Sequence, residues 1–141
     1  MGDVESIARA FTEAWNKRDW DTLRGMMHVD YSYTGGDGQR MDGPDAGMGV
    51  AQMFANAFPD GRIDIQHVHA AGNVAVVEFI GRGTHKGDLM GVAPTGRSMA
   101  MPVCNVVVVK DGKVLAEREY MDMAYMMQQL GVTEAPAAAT A

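Results

Sequence analysis

Apolar side chains recur every three to four residues at the start of the chain: Val4, Ile7, Ala8, Phe11, Ala14 and Trp15. That period puts them on one stripe of an amphipathic helix. The pattern breaks over Asn16 to Asp19, and Asp19 is expected to cap a short second helix from about Trp20 to Met27. The period then drops to two. His28 to Thr34 alternates and is rich in Tyr and Val, which predicts a strand, and Gly35-Gly36-Asp37-Gly38 predicts a loop. Asp42-Gly43-Pro44 marks a helix start, with Val50, Met53, Phe54 and Ala57 on one face and Pro59 as the stop. Strand patterns follow at about Arg62–His69, Asn73–His85, Arg97–Lys110 and Val114–Met121, the last two joined through Asp111-Gly112. A final helix runs from about Met123 to Leu130 and ends at Gly131. Residues 134–141 read as a frayed tail.

Helices first and an antiparallel meander afterwards indicate an α+β fold. There is no βαβ alternation, and Gly81 to Gly87 lacks the spacing of a dinucleotide loop. The 141 residues fit one domain, expected over 1–133. Composition narrows the function. Twelve basic against eighteen acidic residues leave a net charge of −6, which disfavours nucleic acid as a partner. A lone cysteine, Cys104, excludes a disulfide framework or a multi-cysteine metal site. No apolar run is long enough to span a membrane, and the acidic start is unlike a signal peptide, so a cytoplasmic location is the default expectation. Thirteen methionines fit two readings, plain core filling or an adaptable apolar pocket.

Three segments carry a resemblance. They are Ala57-Phe58-Pro59-Asp60; Gly83-Thr84-His85-Lys86-Gly87 with Pro94-Thr95-Gly96-Arg97; and Asp111-Gly112-Lys113-Val114 running on to Tyr120-Met121-Asp122 and Gln128-Gln129-Leu130-Gly131. Their order and spacing resemble the SnoaL-like polyketide cyclases of the nuclear transport factor 2-like superfamily, over roughly residues 4–131. The resemblance implies a cone: a curved antiparallel sheet wrapped around N-terminal helices, enclosing an apolar pocket. It implies intramolecular aldol cyclisation of a polyketide ester, with no metal and no organic cofactor. It places an acidic acid/base at the end of the last strand, which is Asp122 here. It also implies a homo-oligomer, a dimer or tetramer, with outward residues such as Val106, Val108 and Met121 as a contact surface.

Strict alternation puts Val114, Ala116, Arg118, Tyr120 and Asp122 on one side of the last strand, and Leu115, Glu117, Glu119 and Met121 on the other. With the first side inward, Arg118, Tyr120 and Asp122 line one wall; a slip of one residue exchanges the sets. Two roles are open to Asp122: a desolvated acid/base, or the N-cap of the helix that follows. Arg118 either polarises a carbonyl or pairs with an acidic neighbour. His85 is a second acid/base or a gate, or else a loop-stabilising hydrogen-bonding group. Trp15, Met53, Phe54, Met90 and Tyr33 are expected to shape the cavity, and Asn105 to position the carbonyl. The characterised cyclases carry a histidine on the strand of Asn105, and residues 97–110 contain none. His67 and His69 share a strand face at a metal-chelating spacing, but no carboxylate in the strand pattern completes a site. The ligand is expected to be a small hydrophobic molecule. The alternatives are a non-catalytic binder of such a ligand and an epoxide hydrolase. The hydrolase would need Asp45 or Asp64 to reach inward beside Arg118 and Asp122.

Overall fold

The computed structural model describes residues 3–132, so the tail expected at 134–141 lies outside it. Two capped helices open the chain. Asp3 accepts from the Ser6 amide at 2.7 Å to start α1 (Val4–Asn16). Asp19 accepts from the Thr22 amide at 3.2 Å to start α2 (Trp20–Gly25). Strand β1 (Met27–Thr34) follows, then β2 (Arg40–Asp42), α3 (Pro44–Ala57), β3 (Arg62–Ala71), β4 (Val74–Thr84), β5 (Ser98–Lys110), β6 (Lys113–Met121) and α4 (Met123–Gln129). No helix among the described residues is long and apolar enough to cross a membrane.

The six strands form one sheet in the order β2-β1-β6-β5-β4-β3. Strands β3 to β6 are the expected antiparallel meander. Two features depart from expectation. Strand β2 is a three-residue edge with every side chain exposed, so no apolar alternation announces it. Strand β1 pairs with β6 in parallel, which is open to strands joined by a long connection. The sheet is therefore mixed.

The ladder is irregular at Ile65/His67 in β3, beside Leu115 in β6 and between Met27 and Ser32 in β1, and such breaks bend the strands. Helix α1 packs along β3, β4, β5 and β6, and α3 packs on β1. Phe11, Ala14, Phe58, Val77, Phe79, Met101 and Met126 form the core between the helices and the sheet.

Two of the motif segments hold each other. The Asp60 carboxylate accepts from the Thr84 amide at 2.7 Å and the Thr84 hydroxyl at 2.8 Å. These bonds hold the Asp60 carboxyl below the usual carboxylate range. The amides of Lys86 and Gly87 donate to the Ala57 carbonyl at 2.9 and 3.1 Å. A β-carbon at Gly87 would run into the Asn56 carbonyl, so glycine is what lets this loop seat on the end of α3.

Arg18 clamps the same region. It has φ 56° and donates to the carbonyls of Trp15, Pro59 and Gly61 at 3.1, 3.3 and 2.9 Å. Its guanidinium also lies 4.2 Å from the Trp15 ring centroid. Glycine is more comfortable than arginine at that φ. Even so, Arg18→Gly is expected to destabilise the fold by about 1 kcal/mol, because the part-buried Gly61 carbonyl loses its side-chain donor and the Trp15 ring its cation. Urea unfolding midpoints check this, and an unchanged midpoint would show the clamp to be idle.

Candidate functional site

A cavity of about 140 Å³ lies between α1, α3 and the inner face of the sheet. Its walls are mainly apolar: Phe11, Trp15, Val50, Phe54, Phe58, Phe79, Met99, Met101 and Met126. The inward residues of β5 and β6 add three polar side chains, Asn105, Glu117 and Glu119.

The bulge in β6 decides which residues these are. Val114 pairs with Val109, yet Ala116 pairs with Val108, so Leu115 is an extra residue without a partner. Val114 is buried inward, and beyond the bulge the odd-numbered residues continue inward as Glu117, Glu119 and Met121. A strict alternation through Leu115 therefore points the wrong set at the pocket. Arg118 is exposed, and Tyr120 is 58% exposed on the outer face. Met121, expected outward, lines the cavity.

The two carboxylates are spaced two residues apart on one strand face, roughly 7 Å along the strand. Tyr31 and Tyr33 repeat that spacing on β1, and together they form two rungs. The Tyr31 hydroxyl donates to Glu117 Oε2, and the Tyr33 hydroxyl donates to Glu119 Oε1 at 2.5 Å. Asn105 Nδ2 donates to Glu117 Oε1 at 2.8 Å. Tyr31 is 1% exposed, and Gly47 of α3 makes room for its ring, which a β-carbon there would strike.

Burial raises the pKa of both acids. Glu119 is pushed to about 7, first by desolvation and then by the neighbouring Glu117, against the lowering effect of the Tyr33 bond. Glu117 is raised by desolvation, against the lowering bonds from Tyr31 and Asn105. With two donors, Glu117 is the better solvated anion, so Glu119 is the group that carries a proton near neutrality. Desolvation and the adjacent carboxylates also push both tyrosines well above their ordinary value, so they stay hydroxyl donors. Tyr33→Phe removes one stabilising bond from the Glu119 anion. Its pKa is expected to rise above about 7, which carboxyl carbon NMR would detect; a fall would contradict the rung.

The other expected site residues are dispersed. Asp122 caps α4, accepting from the Tyr125 amide at 3.0 Å, and does not line the cavity. His85 is 0% exposed and lies behind the wall, with its ring centroid 5.6 Å from that of Phe58. Its Nδ1 accepts from the Thr95 amide at 3.3 Å, which ties down the loop after β4. Trp15, Tyr33, Phe54 and Asn105 line the cavity; Met53 and Met90 do not. Trp15 Nε1 donates to the Ala51 carbonyl at 3.0 Å, which fixes the indole in the wall.

Asp45 pairs with Arg24, and Asp64 pairs with both Arg62 and Arg82, two residues that line the cavity; neither aspartate lines it. His69 bonds Glu78 of the neighbouring strand at 2.8 Å, a carboxylate outside its own strand's alternation, yet no group of three or more potential ligands among the described residues could hold a metal ion. Glu117, Glu119 and Tyr31 line the cavity and are not among the expected site residues, although Glu117 and Glu119 belong to the set that a one-residue slip brings inward. The signal available for them was the matched spacing of Tyr31/Tyr33 with Glu117/Glu119 in strands facing an inward Asn105.

The fold and the site define a small α+β cone with acids at the polar end of an apolar cavity. The chain belongs to the SnoaL-like polyketide cyclase family, whose model matches residues 5–130. It is 23% identical over 133 residues to the aklanonic acid methyl ester cyclase AcmA of Streptomyces galilaeus, covering 93% of this chain and 92% of that one. The corresponding cyclase DnrD of Streptomyces peucetius is also 23% identical, over 134 residues, with the same coverage of 93% and 92%. Among solved structures, wild-type IdmH from Streptomyces antibioticus superposes with a TM-score of 0.81 at 28% identity, covering 93% of this chain and 100% of that one. A SnoaL-like protein from Jannaschia sp. CCS1 gives a TM-score of 0.83 at 23% identity, covering 93% and 92%.

Proposed function

We propose that this protein is a cofactor-independent cyclase that closes a ring in a hydrophobic polyketide ester by intramolecular aldol cyclisation. We assign the acid/base role to Glu119 in place of Asp122. The observation that carries this is the pair of tyrosine-bonded carboxyls on the wall of an apolar cavity. With a pKa of about 7, Glu119 is partly ionised at neutral pH and serves in both directions. Its carboxylate removes the proton next to one carbonyl. The resulting enolate carbon attacks a second carbonyl of the same molecule and forms the new C–C bond. The alkoxide oxygen then takes the proton back from the Glu119 carboxyl. Substrate and product have the same composition, so no oxidant or reductant is required. The apolar walls fold the chain of the substrate so that the two carbonyls meet, which supplies much of the rate.

Incubating the purified protein with an aromatic polyketide methyl ester, in the presence of a chelator, tests this. The expected product has unchanged mass and a new retention time. Recovery of the unaltered ester, bound but not converted, would overturn catalysis in favour of a ligand-binding role. Asp122→Asn keeps a good helix cap and is expected to leave turnover within a few-fold of wild type. Loss of turnover in that variant would return the acid/base role to Asp122. Pairing of two copies through the outer sheet face, where Val106 and Val108 lie, is part of the same proposal and is read by sedimentation.

A further inference from the structure

The apolar end of the cavity closes a short distance from the acids. Its volume of about 140 Å³ is close to the roughly 150 Å³ of an apolar cavity that takes a single benzene. Pockets for larger organic ligands run to about 300–1,000 Å³. Glu119 and Met121 both line the cavity and stand two residues apart on β6, roughly 7 Å along the strand. That length takes one six-membered ring between the carboxyl and the end wall.

The end wall is built of methionines. Methionine is flexible, so what backs each one decides whether the wall yields. Met101 Sδ accepts from Gln129 Nε2 at 3.4 Å, and Met126 is 1% exposed. Met121 packs so closely on Gly36, in the loop after β1, that a β-carbon there would lie 3.1 Å from its Cγ. The sides are tight as well, since a β-carbon at Gly61 would lie 3.2 Å from side-chain carbons of both Phe58 and Trp15. Met99 differs. It lines the cavity and is half-buried, and its neighbour on β4 is Gly83, so no β4 side chain refills the space when Met99 is shortened.

We propose that the substrate carries a single six-membered ring in its enclosed part, not a fused polycycle, and that Met99 is the specificity-determining residue that sets this limit. The proposal rests on the reading of the cavity as a site for a hydrophobic carbonyl compound, and it narrows that class by size. A second fused ring would have to displace Met99 and would overpack the wall. Selection is therefore against the larger compound, although that compound has more apolar surface to bury.

The test uses the full chain and three neutral probes that grow by one fused ring: benzyl alcohol, 2-naphthylmethanol and 2-anthracenylmethanol. In an open groove each added ring would bind more tightly. Here titration calorimetry is expected to show 2-naphthylmethanol binding roughly ten- to a hundredfold more weakly than benzyl alcohol, and 2-anthracenylmethanol not binding. In Met99→Ala the naphthalene is expected to match or exceed benzyl alcohol. A second measurement needs no variant: the Met99 methyl carbon should shift on binding benzyl alcohol, and that of the exposed Met41 on β2 should not. Affinity that rises with each ring in the wild type would overturn the size limit while leaving the cavity reading intact. Either an unchanged order in Met99→Ala or an unmoved Met99 methyl would overturn the role given to Met99. Binding of none of the three probes would overturn the cavity reading itself, and the proposal with it.

Discussion

Glu119→Gln is expected to lower turnover by about a hundred- to ten-thousandfold, the usual worth of a placed acid/base, while ligand affinity stays within a few-fold. Glutamine has nearly the same shape and still accepts from Tyr33, but it neither takes up nor releases a proton near neutral pH. The same substitution has a second, opposite effect. In the folded protein Glu119 has a pKa of about 7, above its ordinary 4.5. Below about 4.5 the group is protonated in both folded and unfolded chains. From there to about 7 the folded protein keeps a proton that the unfolded chain has already released, so stability falls as pH rises. Above about 7 the loss is complete. Glu119→Gln removes that loss, so its unfolding midpoint should exceed that of the wild type at pH 8 and match it near pH 4.5. Thermal denaturation at the two pH values, with turnover beside it, checks both effects. A variant that is inactive but no more stable at pH 8 would show that Glu119 does not sit in a desolvated site.

Gly47→Ala should be the most damaging single methyl added to the pocket. Its β-carbon would collide with the ring of Tyr31, a residue that is 1% exposed and bonded to Glu117. Overpacking of this kind costs about 1–3 kcal/mol. The displaced ring also withdraws its hydroxyl from Glu117. That carboxyl then loses one of the bonds that oppose its desolvation, so its pKa climbs further. Both a lower urea midpoint and a shifted pH–rate profile are therefore expected. Gly47→Ala combined with Tyr31→Ala should be less destabilised than the sum of the two single variants, because the collision is gone. Additive losses would mean that the ring and the glycine do not share the space.

The helices and the meander were legible because burial on one face imposes a period. Val4 to Trp15 carries that period clearly, and the four long strands do as well. Strand β2 was not legible, since it buries nothing, and neither was the parallel contact of β1 with β6, since pairing partners leave no mark on periodicity. The cavity walls were partly legible through Trp15, Phe54, Tyr33 and Asn105. The acids were not, for one local reason. An alternating pattern reports which residues share a face only while the ladder is continuous, and a single unpaired Leu115 inverts it. Asp122 stands where a strand ends and a helix begins, and at such a place a helix cap looks the same in sequence as the acid that the resemblance implies.

That bulge also makes the two acids tolerant of a change in chain length. Val114 stands opposite Val109 and Ala116 opposite Val108, so Leu115 is carried outside the ladder. Deleting Leu115 would close the ladder with Ala116 directly after Val114, and Glu117 and Glu119 would keep their places on the cavity face. A chain in which Leu115 instead took the place opposite Val108 would turn Arg118 and Tyr120 inward and lose both acids. The charge of the cavity thus hangs on whether one residue is looped out of the strand or counted in it, with the sheet, the helices and the apolar walls the same in both.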